Sequence, residues 1–332
     1  MRALALVSGG LDSSLAMKLI LNQGVEVIGL NFTSPFCMCN GEKGCGEPLK
    51  ELRRWLGAPI LQRPTREDFY LMLEHPRFGY GRQVNPCIDC RLFRLQEAKA
   101  VMAEVGASFL ITGEVVGQRP KSQQLPTLGL IERESGLEGL LLRPLSAQLL
   151  PPTIPEERGW VDREQLLDIR GRSRYRQIAL AAEWGLSSYP QPAGGCLLTE
   201  EGFANRVRDL WRHGEHLSPR AIPLLRVGRH FRLSPRAKGV VGRNEKENQS
   251  LRSLAAAGDL LLEVEEVMGP TGLCRGAGDE ESLRLLARLV VRYADVPLGT
   301  PATVIVRDHS GEARATLEVI GLPPEEIAGY RL

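Results

Sequence analysis

Buried-strand and amphipathic-helix patterns alternate through the first half of the chain. Short apolar runs predict strands, and the apolar positions between them recur at helical spacing. The predicted strands are Ala3–Val7, Val25–Phe32, Phe109–Thr112 and Gly139–Leu142, and the predicted helices are Leu11–Asn22, Pro48–Leu56 and Leu92–Val105. Strands that alternate with helices predict a doubly wound parallel α/β sheet, in which ligands bind at the carboxyl ends of the strands.

After Gly185 the pattern changes to the mixed strands and helices of an α+β domain. Asn244 and Asp279 are the predicted N-caps of helices near 245–256 and 280–294. The strands predicted in this half are His230–Leu233, Gly239–Val241, Leu260–Val264, Thr303–Val306 and Ala315–Val319. We therefore predict an α/β domain at 1–190, a linker at 191–216 that carries Cys196, and a second α+β domain at 217–332.

The first predicted strand leads directly into the turn Ser8-Gly9-Gly10-Leu11-Asp12-Ser13-Ser14. Glycine lets the backbone approach a ligand closely, and the N–H groups at the start of the following helix face an anion. The turn lacks the Gly-Lys-Ser/Thr ending of a Walker loop. It is a candidate phosphate-binding loop, and the alternative is an ordinary strand-to-helix turn.

Composition limits the class of protein further. The chain has 332 residues, a length that is enough for two domains of ordinary size. Hydrophobic residues make up 43% of it, and the net charge is +2. No apolar run approaches the ~20 residues that span a bilayer, and the N-terminus does not read as a signal sequence. We expect a cytoplasmic protein without a membrane partner, whose seven cysteines serve metal binding or catalysis better than disulfides.

Three cysteines form the main candidate chemical group. Cys87 and Cys90 form a Cys-x-x-Cys just before the helix predicted near Arg91, and Cys196 lies in the glycine-rich connector. The helix N-terminus, Arg91 and Arg94 are expected to make the first two thiols more acidic than a free cysteine. Three thiolates leave one coordination position open, as in a reactive iron–sulfur cluster. A structural zinc and a redox-active Cys87–Cys90 pair are the alternatives.

A second group, Cys37, Cys39 and Cys45, follows the second predicted strand. It has three interpretations: it holds zinc, relays a persulfide, or only lines a loop. Cys274 stands alone in a strand-like segment and is expected in a core.

Several motifs resemble known families. The Ser8–Ser14 turn resembles the SGGxDS loop of the PP-loop ATP pyrophosphatases. The segments Ile111–Gln118 (ITGEVVGQ), Ser122–Leu125 (SQQL) and Leu141–Leu145 (LLRPL) resemble the catalytic domain of the 4-thiouridine-forming tRNA sulfurtransferases, although extra sequence separates GQ from SQ. Asn85–Cys90 and Gly194–Cys196 are similar to the Asn-Pro-x-x-x-Cys and Gly-x-Cys of the tRNA 2-thiouridylases. The Cys-x-x-Cys with a distant third cysteine resembles the 2-thiocytidine-forming enzymes, in which these three cysteines hold an iron–sulfur cluster.

These resemblances imply an ATP-dependent tRNA sulfurtransferase that adenylates a tRNA uridine, releases pyrophosphate and gives 4-thiouridine. They imply ATP, Mg²⁺ and a 4Fe-4S cluster with one open iron, held by Cys87, Cys90 and Cys196, which are catalytic together with Asp12. Glu114, Gln118 and Gln123 are expected to orient the uracil. The candidate nucleotide-binding residues are Ser8, Gly9, Gly10, Leu11, Asp12, Ser13, Ser14, Leu30, Asn31, Gly113 and Gln118.

The second half carries a basic stripe and no acidic residue between Leu217 and Asn244. Such a stripe suits contacts to phosphates, although a charge run is commonly only a solvated face. Its members are Arg220, Arg226, Arg229, Arg232, Arg236, Lys238 and Arg243. Residues 238–295 also resemble the RNA-binding domain of the NFACT proteins, and Arg158–Arg176 adds a second basic cluster.

The expected partners are tRNA and a sulfur donor, either a cysteine desulfurase or inorganic sulfide, and a homodimer stays open. Three alternative functions remain at this point. The first is a tRNA 2-thiouridine or 2-thiocytidine synthase. The second is a PP-loop ligase or amidotransferase for a small metabolite, and the third is a ribosome-associated RNA-binding factor whose PP-loop domain only senses nucleotide.

Overall fold

The computed structural model describes residues 1–37, 46–186, 189 and 195–332, with side chains of the second helix from residue 49. They form two compact units, Met1–Thr199 and Glu200–Leu332. Cys37 is disulfide-bonded, contrary to the expectation that the cysteines do not serve disulfides. Cys39 and Cys45 lie outside the described residues, so the three interpretations of the second cysteine group stay untested.

The first unit is an open parallel sheet with helices on both faces, as the sequence predicts. Its sheet order is β3-β2-β1-β4-β5, and every neighbouring pair is parallel. The strands are β1 (Arg2–Leu6), β2 (Glu26–Thr33), β3 (Ile60–Pro64), β4 (Phe109–Thr112) and β5 (Leu141–Leu142). The helices are α1 (Leu11–Asn22), α2 (Gly46–Leu56), α3 (Asp68–Glu74), α4 (Cys87–Glu104), α5 (Leu125–Ser135), α6 (Ile154–Glu157) and α7 (Tyr175–Glu183).

Both faces of this sheet are buried, which explains the continuous apolar runs of its strands. Ala3 and Ala5 of β1 pack in the core that contains α1, whereas Leu4 and Leu6 face the core that contains α4 and α5. The helix after β1 and the helix after β4 therefore cover opposite faces. Where two neighbouring strands send their helices to opposite faces, the connections diverge and leave a crevice. A ligand is expected to bind in this crevice, beyond the carboxyl ends of β1 and β4.

The predicted start of the helix after the Cys-x-x-Cys is wrong. We expected a helix over Leu92–Val105 with the cysteines before it, but α4 begins at Cys87, directly after Pro86. Both Cys87 and Cys90 consequently lie in the first turn of the helix.

The second unit is an antiparallel sheet covered by helices, with the order β11-β10-β8-β9-β7-β6. The strands are β6 (Arg229–Ser234), β7 (Ala237–Val241), β8 (Leu260–Val264), β9 (Gly272–Gly276), β10 (Pro301–Asp308) and β11 (Ala313–Ile320). The helices are α8 (Glu201–Arg212), α9 (Ala221–Arg226), α10 (Glu245–Leu254), α11 (Glu280–Arg292) and α12 (Pro324–Ile327).

Both predicted N-caps of this unit are confirmed. The side chain of Asn244 accepts a hydrogen bond from Glu247 N at 3.0 Å, and that of Asp279 accepts one from Ser282 N at 2.9 Å. Each satisfies an N–H that the first helical turn leaves unpaired. Residues 201–212, within the segment expected as a linker, form α8, whose apolar side chains are buried.

Candidate active site

The phosphate-loop candidate is a tight turn between β1 and α1. Gly9 has φ +79°, a conformation that glycine adopts without steric cost. The hydroxyl of Ser13 donates to Gly10 O at 2.9 Å, and the N–H of Ser8 donates to Ser13 Oγ at 3.2 Å. These bonds fix the turn and place it at the positive end of the α1 dipole, which suits a bound phosphate.

Gly113, the first residue after β4, packs directly against this loop. A Cβ atom at Gly113 would lie 2.5 Å from Ser13 N and 2.6 Å from Asp12 C. Only glycine fits there, because the atoms it would meet belong to the backbone of the first turn of α1. The loop after β4 therefore forms one wall of the phosphate loop.

Asp12 is held by a relay of two glutamine side chains. Gln118 Nε2 donates to Asp12 Oδ2 at 2.7 Å, and Gln177 Nε2 donates to Gln118 Oε1 at 3.2 Å. The ionised carboxylate only accepts hydrogen bonds, so it fixes the direction of both amides. Arg174 adds an ion pair with Asp12 at 3.8 Å. The sequence analysis missed Gln177 and Arg174 as parts of this site.

The second carboxylate oxygen of Asp12 fits a metal ion. Asp12 Oδ1 is buried and has no hydrogen-bond partner among the described residues. Such an oxygen is costly to bury unless it binds a cation or a donor. Mg²⁺ is commonly bound by one or two carboxylates together with substrate phosphates. Asp12 beside the phosphate loop is therefore suited to Mg²⁺.

Leu30 and Asn31 lie on β2 beside the end of β1. Asn31 Nδ2 donates to Val7 O at 2.7 Å, and its buried Oδ1 has no partner among the described residues. The Leu30 carbonyl accepts from Val7 N at 2.9 Å, while its side chain lies in the core. Asn31 therefore retains an acceptor, and Leu30 supports the strand.

Glu114 forms a buried ion-pair cluster instead of a free polar surface. Its carboxylate lies 3.1 Å from Arg91 Nε and 3.0 Å from Arg143 Nε, and it accepts a hydrogen bond from Thr112 Oγ1 at 3.0 Å. Burial acts to raise the pKa of Glu114, but Arg91 and Arg143 outweigh it and the pKa is lowered. Glu114 and Gln118 are thus already bonded within the protein, whereas the buried Gln123 Oε1 has no partner among the described residues. The role of these three residues in orienting uracil stays a prediction.

Backbone contacts within the first unit fix the position of Cys196. It forms an antiparallel bridge with Cys37, and the next residue, Leu197, donates its N–H to Phe36 O at 2.9 Å. The N–H of Val84 donates to Leu198 O at 3.2 Å. These contacts place Cys196 near the loop that leads into α4. Cys87, Cys90 and Cys196 are all free thiols.

The three thiols lie within electrostatic range of one another. Burial raises the pKa of Cys196 to about 12, and Cys90 and Cys87 contribute to the increase. Burial likewise raises the pKa of Cys90, although Arg94 and Arg91 oppose it. The prediction of an acidic Cys90 is therefore wrong, because desolvation of the thiolate exceeds the attraction of the two guanidinium groups.

The segment between GQ and SQ, residues 119–121, runs from the phosphate loop toward the cysteines. It follows Gln118, which is bonded to Asp12 at 2.7 Å. At its other end, a Cβ atom on Gly81 would lie 3.1 Å from Cys87 Sγ and 3.4 Å from Lys121 Cδ, so this thiol and the Lys121 side chain both pack against Gly81. Within the segment, desolvation lowers the pKa of Arg119, and the neighbouring arginines lower it further.

The donor set fits an iron–sulfur cluster in kind and number. Three free cysteines from two segments share a cationic neighbourhood, which suits thiolate ligands. Within the described ranges, no three His, Cys, Asp or Glu side chains are already arranged to hold a metal ion. Ligation would therefore require these thiols to converge from the positions they occupy here.

Three of the seven residues in the basic stripe of the second unit are paired with carboxylates of the same unit. Arg232 forms an ion pair with Asp209, whose carboxylate also lies 3.7 Å from Lys238 Nζ. Two further stripe residues are engaged nearby: Arg243 Nε donates to Glu247 at 2.9 Å, and Arg229 lies 4.3 Å above the Tyr293 ring. Exposed stripe residues include Arg220 and Arg236. The partner carboxylates, Asp209 and Glu247, lie outside the segment 217–244 that contains no acidic residue. That segment taken alone therefore overstated the number of unpaired positive charges.

Two family models match the chain. Residues 1–148 match the thiamine biosynthesis protein (ThiI) family, and residues 228–331 match the NFACT protein RNA binding domain. Both resemblances drawn from the motifs are confirmed at this level. In the part of the chain that the structure describes, no helix is long and apolar enough to cross a membrane.

Curated relatives match part of the chain. A probable tRNA sulfurtransferase of Methanosarcina acetivorans is 32% identical over 114 residues, 34% of this chain and 27% of the relative. Another, of Thermococcus kodakarensis, is 26% identical and covers 51% of this chain and 39% of the relative. The tRNA-specific 2-thiouridylase MnmA of Kineococcus radiotolerans is 34% identical, covering 27% and 28%. The chain thus spans less than half the length of these curated relatives.

Among solved structures, one described as a 4-thiouridine synthetase–RNA complex with bound ATP is 24% identical. It covers 56% of this chain and 53% of that chain, with a TM-score of 0.35. We draw no functional argument from structural similarity at this level.

Proposed function

We propose that this protein is an ATP-dependent tRNA sulfurtransferase that converts a uridine of tRNA to 4-thiouridine. The observation that carries the proposal is the short segment 118–121. Gln118 Nε2 donates to Asp12 Oδ2 at 2.7 Å, and three residues later the Lys121 side chain packs against Gly81, as does the Cys87 thiol. A phosphate-binding turn and a group of free thiols thus belong to one site. The ThiI-family match across residues 1–148 supports the same chemistry.

The first step is adenylation of the base. The turn Ser8–Ser14 and the α1 dipole hold the ATP phosphates, and Mg²⁺ bound at Asp12 supplies neutralisation of their charge. The uracil oxygen attacks the α-phosphorus, an oxygen–phosphorus bond forms, and the bond to the β-phosphate breaks with release of pyrophosphate. Adenylation converts a poor leaving oxygen into AMP.

The second step replaces that oxygen with sulfur. A sulfur nucleophile attacks the activated carbon, and the carbon–oxygen bond breaks to release AMP. Cys87, Cys90 and Cys196 would hold a 4Fe-4S cluster with one open iron, which supplies a site for binding sulfide. Inorganic sulfide would serve this cluster route directly. Alternatively, a cysteine of this group receives persulfide sulfur from a cysteine desulfurase, and its outer sulfur attacks the activated carbon. A second cysteine of the group then attacks the carrier Sγ, which breaks the sulfur–sulfur bond, releases the thiolated base and leaves a Cys–Cys disulfide that an external thiol reduces.

An ATP–pyrophosphate assay with and without bulk tRNA tests the first step. We expect tRNA-dependent release of AMP and pyrophosphate, and we expect Asp12→Ala and Ser13→Ala to abolish it while leaving the fold intact. Parental activity in either variant would refute the assignment of the loop. A tRNA-independent reaction with a small metabolite would indicate a ligase or amidotransferase instead, and nucleotide binding without cleavage would indicate a sensor.

Metal analysis after anaerobic purification tests the cluster. We expect iron and acid-labile sulfide, with loss of both in Cys196→Ala. Stoichiometric zinc without iron would refute the cluster. An iron–sulfur cluster that survives in Cys196→Ala would exclude the third ligand alone.

The second unit is proposed to bind tRNA phosphates. Its match to an RNA-binding domain and its exposed Arg220 and Arg236 support this role. Affinity for tRNA should then fall steeply as salt is raised. Equal affinity of the full chain and of a chain ending at residue 199 would exclude the role.

A second candidate product is 2-thiouridine. The 34% identity to a 2-thiouridylase and the spacing of the cysteine triple favour it. The TGE-x-x-GQ stretch resembles the 4-thiouridine-forming family, which is why we propose that product. Nucleoside analysis of tRNA distinguishes the two.

A further inference from the structure

The N-terminus of α7 presents an aromatic side chain to solvent. Tyr175 is 80% exposed, and Ile178, one turn further along, is 45% exposed. A single exposed apolar residue is ordinary on a protein surface. Tyr175 stands out because of its surroundings, which are cationic and are joined to the candidate active site.

Arginine residues occupy every second position from 170 to 176, and no acidic residue occurs between Ile169 and Ala182. Two of these arginines have partners: Arg176 pairs with Asp168 at 2.7 Å and Arg174 with Asp12 at 3.8 Å. Arg172 is exposed and forms no ion pair with any residue that the structure describes. In contrast to the stripe of the second unit, this segment retains an unneutralised cation beside an exposed aromatic ring.

The same segment is fixed to the adenylation site by its backbone and side chains. The N–H of Gly171 donates to Val116 O at 2.8 Å, and Arg170 forms a parallel bridge with Val116. Two residues after Tyr175, the buried Gln177 donates to Gln118, which holds Asp12. A group bound on Tyr175 is therefore held by an element that also positions the catalytic carboxylate.

We propose that residues 170–178 are an RNA contact in which Tyr175 stacks on an unpaired base and Arg172 binds a neighbouring phosphate. This inference rests on the proposed function and adds the surface that presents the RNA beside the adenylation site. Proteins that recognise unpaired nucleotides combine aromatic stacking with arginine contacts to the backbone. An acidic protein partner is the alternative occupant of such a surface, and the titration with tRNA distinguishes it from RNA.

The test compares Tyr175→Ala and Tyr175→Phe in the full chain by titration with unmodified tRNA at fixed salt. Stacking of one base predicts that Tyr175→Ala weakens the tRNA Kd by about tenfold or more. Tyr175→Phe keeps the ring and should bind within about twofold of the parent. The control Leu71→Ala removes another exposed apolar side chain, 63% exposed on α3 of the first unit, and should leave the tRNA Kd unchanged.

Arg172→Ala should lower the slope of log Kd against log salt by about one, as expected for the loss of one phosphate contact. The Kd for ATP should be unchanged in both Tyr175 variants, which shows that the fold and the phosphate loop are intact. An unchanged tRNA Kd in Tyr175→Ala would overturn the proposal, whatever other partner the segment binds. Tyr175→Phe as weak as Tyr175→Ala would overturn stacking.

These outcomes are separable from those of the proposed function. If the parent binds tRNA through Tyr175 but forms no thiouridine, the sulfurtransferase proposal fails and the RNA contact stands. If Tyr175→Ala forms thiouridine at the parental rate and binds tRNA with the parental Kd, the RNA contact fails and the sulfurtransferase proposal stands.

Discussion

Substitution of Gly113 by alanine should cripple adenylation while leaving the protein folded. The added Cβ would lie 2.5 Å from Ser13 N and 2.6 Å from Asp12 C, whereas ordinary contact begins at 3.4 Å. Both neighbours are backbone atoms in the first turn of α1, so no flexible side chain can move aside. The loop after β4 and the phosphate loop must separate by roughly 1 Å to restore normal packing.

Two magnitudes follow from this displacement. Overpacking in a close-packed interior costs about 1–3 kcal/mol of unfolding free energy. A catalytic group misplaced by ~1 Å loses on the order of a hundredfold in rate. Since Asp12 and Ser13 belong to the displaced turn, we expect ATP-dependent pyrophosphate release to fall about a hundredfold, far more than the loss of stability would produce by itself.

The assay is tRNA-dependent pyrophosphate release under saturating ATP, combined with urea unfolding of the same preparations. The matched control is Gly129→Ala in α5, where the added Cβ meets only Arg133 Nη1 at 3.7 Å. That helical substitution should preserve activity and stabilise the protein by roughly 0.5–1 kcal/mol. Parental activity in Gly113→Ala would refute the close packing of the two loops and the positioning argument built on it.

Three further predictions concern other contacts. Gln177→Leu removes the donor that orients Gln118, so half-maximal pyrophosphate release should require a higher Mg²⁺ concentration. The free energy of unfolding should stay within about 2 kcal/mol of the parental value. An unchanged Mg²⁺ dependence would exclude the relay. Glu114→Gln removes the buried carboxylate that Arg143 and the partly exposed Arg91 share, and Arg143 keeps only its ion pair with Glu132. The change should cost about 3 kcal/mol in urea unfolding, whereas a loss below about 1 kcal/mol would contradict the buried cluster. Burial lowers the pKa of Lys238 from 10.5 to about 8, so the folded state binds this proton less tightly and stability should rise with pH between those values. Lys238→Met should flatten this rise in urea midpoints measured across the window, and a rise that persists in full would exclude Lys238 as its cause.

Local sequence was sufficient for elements whose signals lie within a few residues. The strand–turn–helix at Ser8–Ser14 follows from an apolar run, two glycines and a helical repeat. The caps Asn244 and Asp279 follow from one polar side chain ahead of an apolar period. In each case the partner atoms lie within one helical turn, so the pattern contains the interaction.

Long-range partners were outside the reach of such patterns. Asp12 and Gln118 meet across 106 positions, and Gln177 completes the relay from another helix. The buried environment of Cys90 arises from tertiary packing, which reversed the acidity expected from its helix position. The carboxylate that neutralises Arg232 and Lys238 comes from Asp209, beyond the acid-free window.

Nucleoside analysis of tRNA from a strain that lacks the gene, with and without its restoration, tests the central claim most directly. The account predicts that 4-thiouridine is lost in the deletion strain. It should return with the parental gene but not with genes encoding Asp12→Ala or Cys196→Ala. Unchanged 4-thiouridine in the deletion strain, with 2-thiouridine lost instead or with no thiolated nucleoside affected, would contradict it.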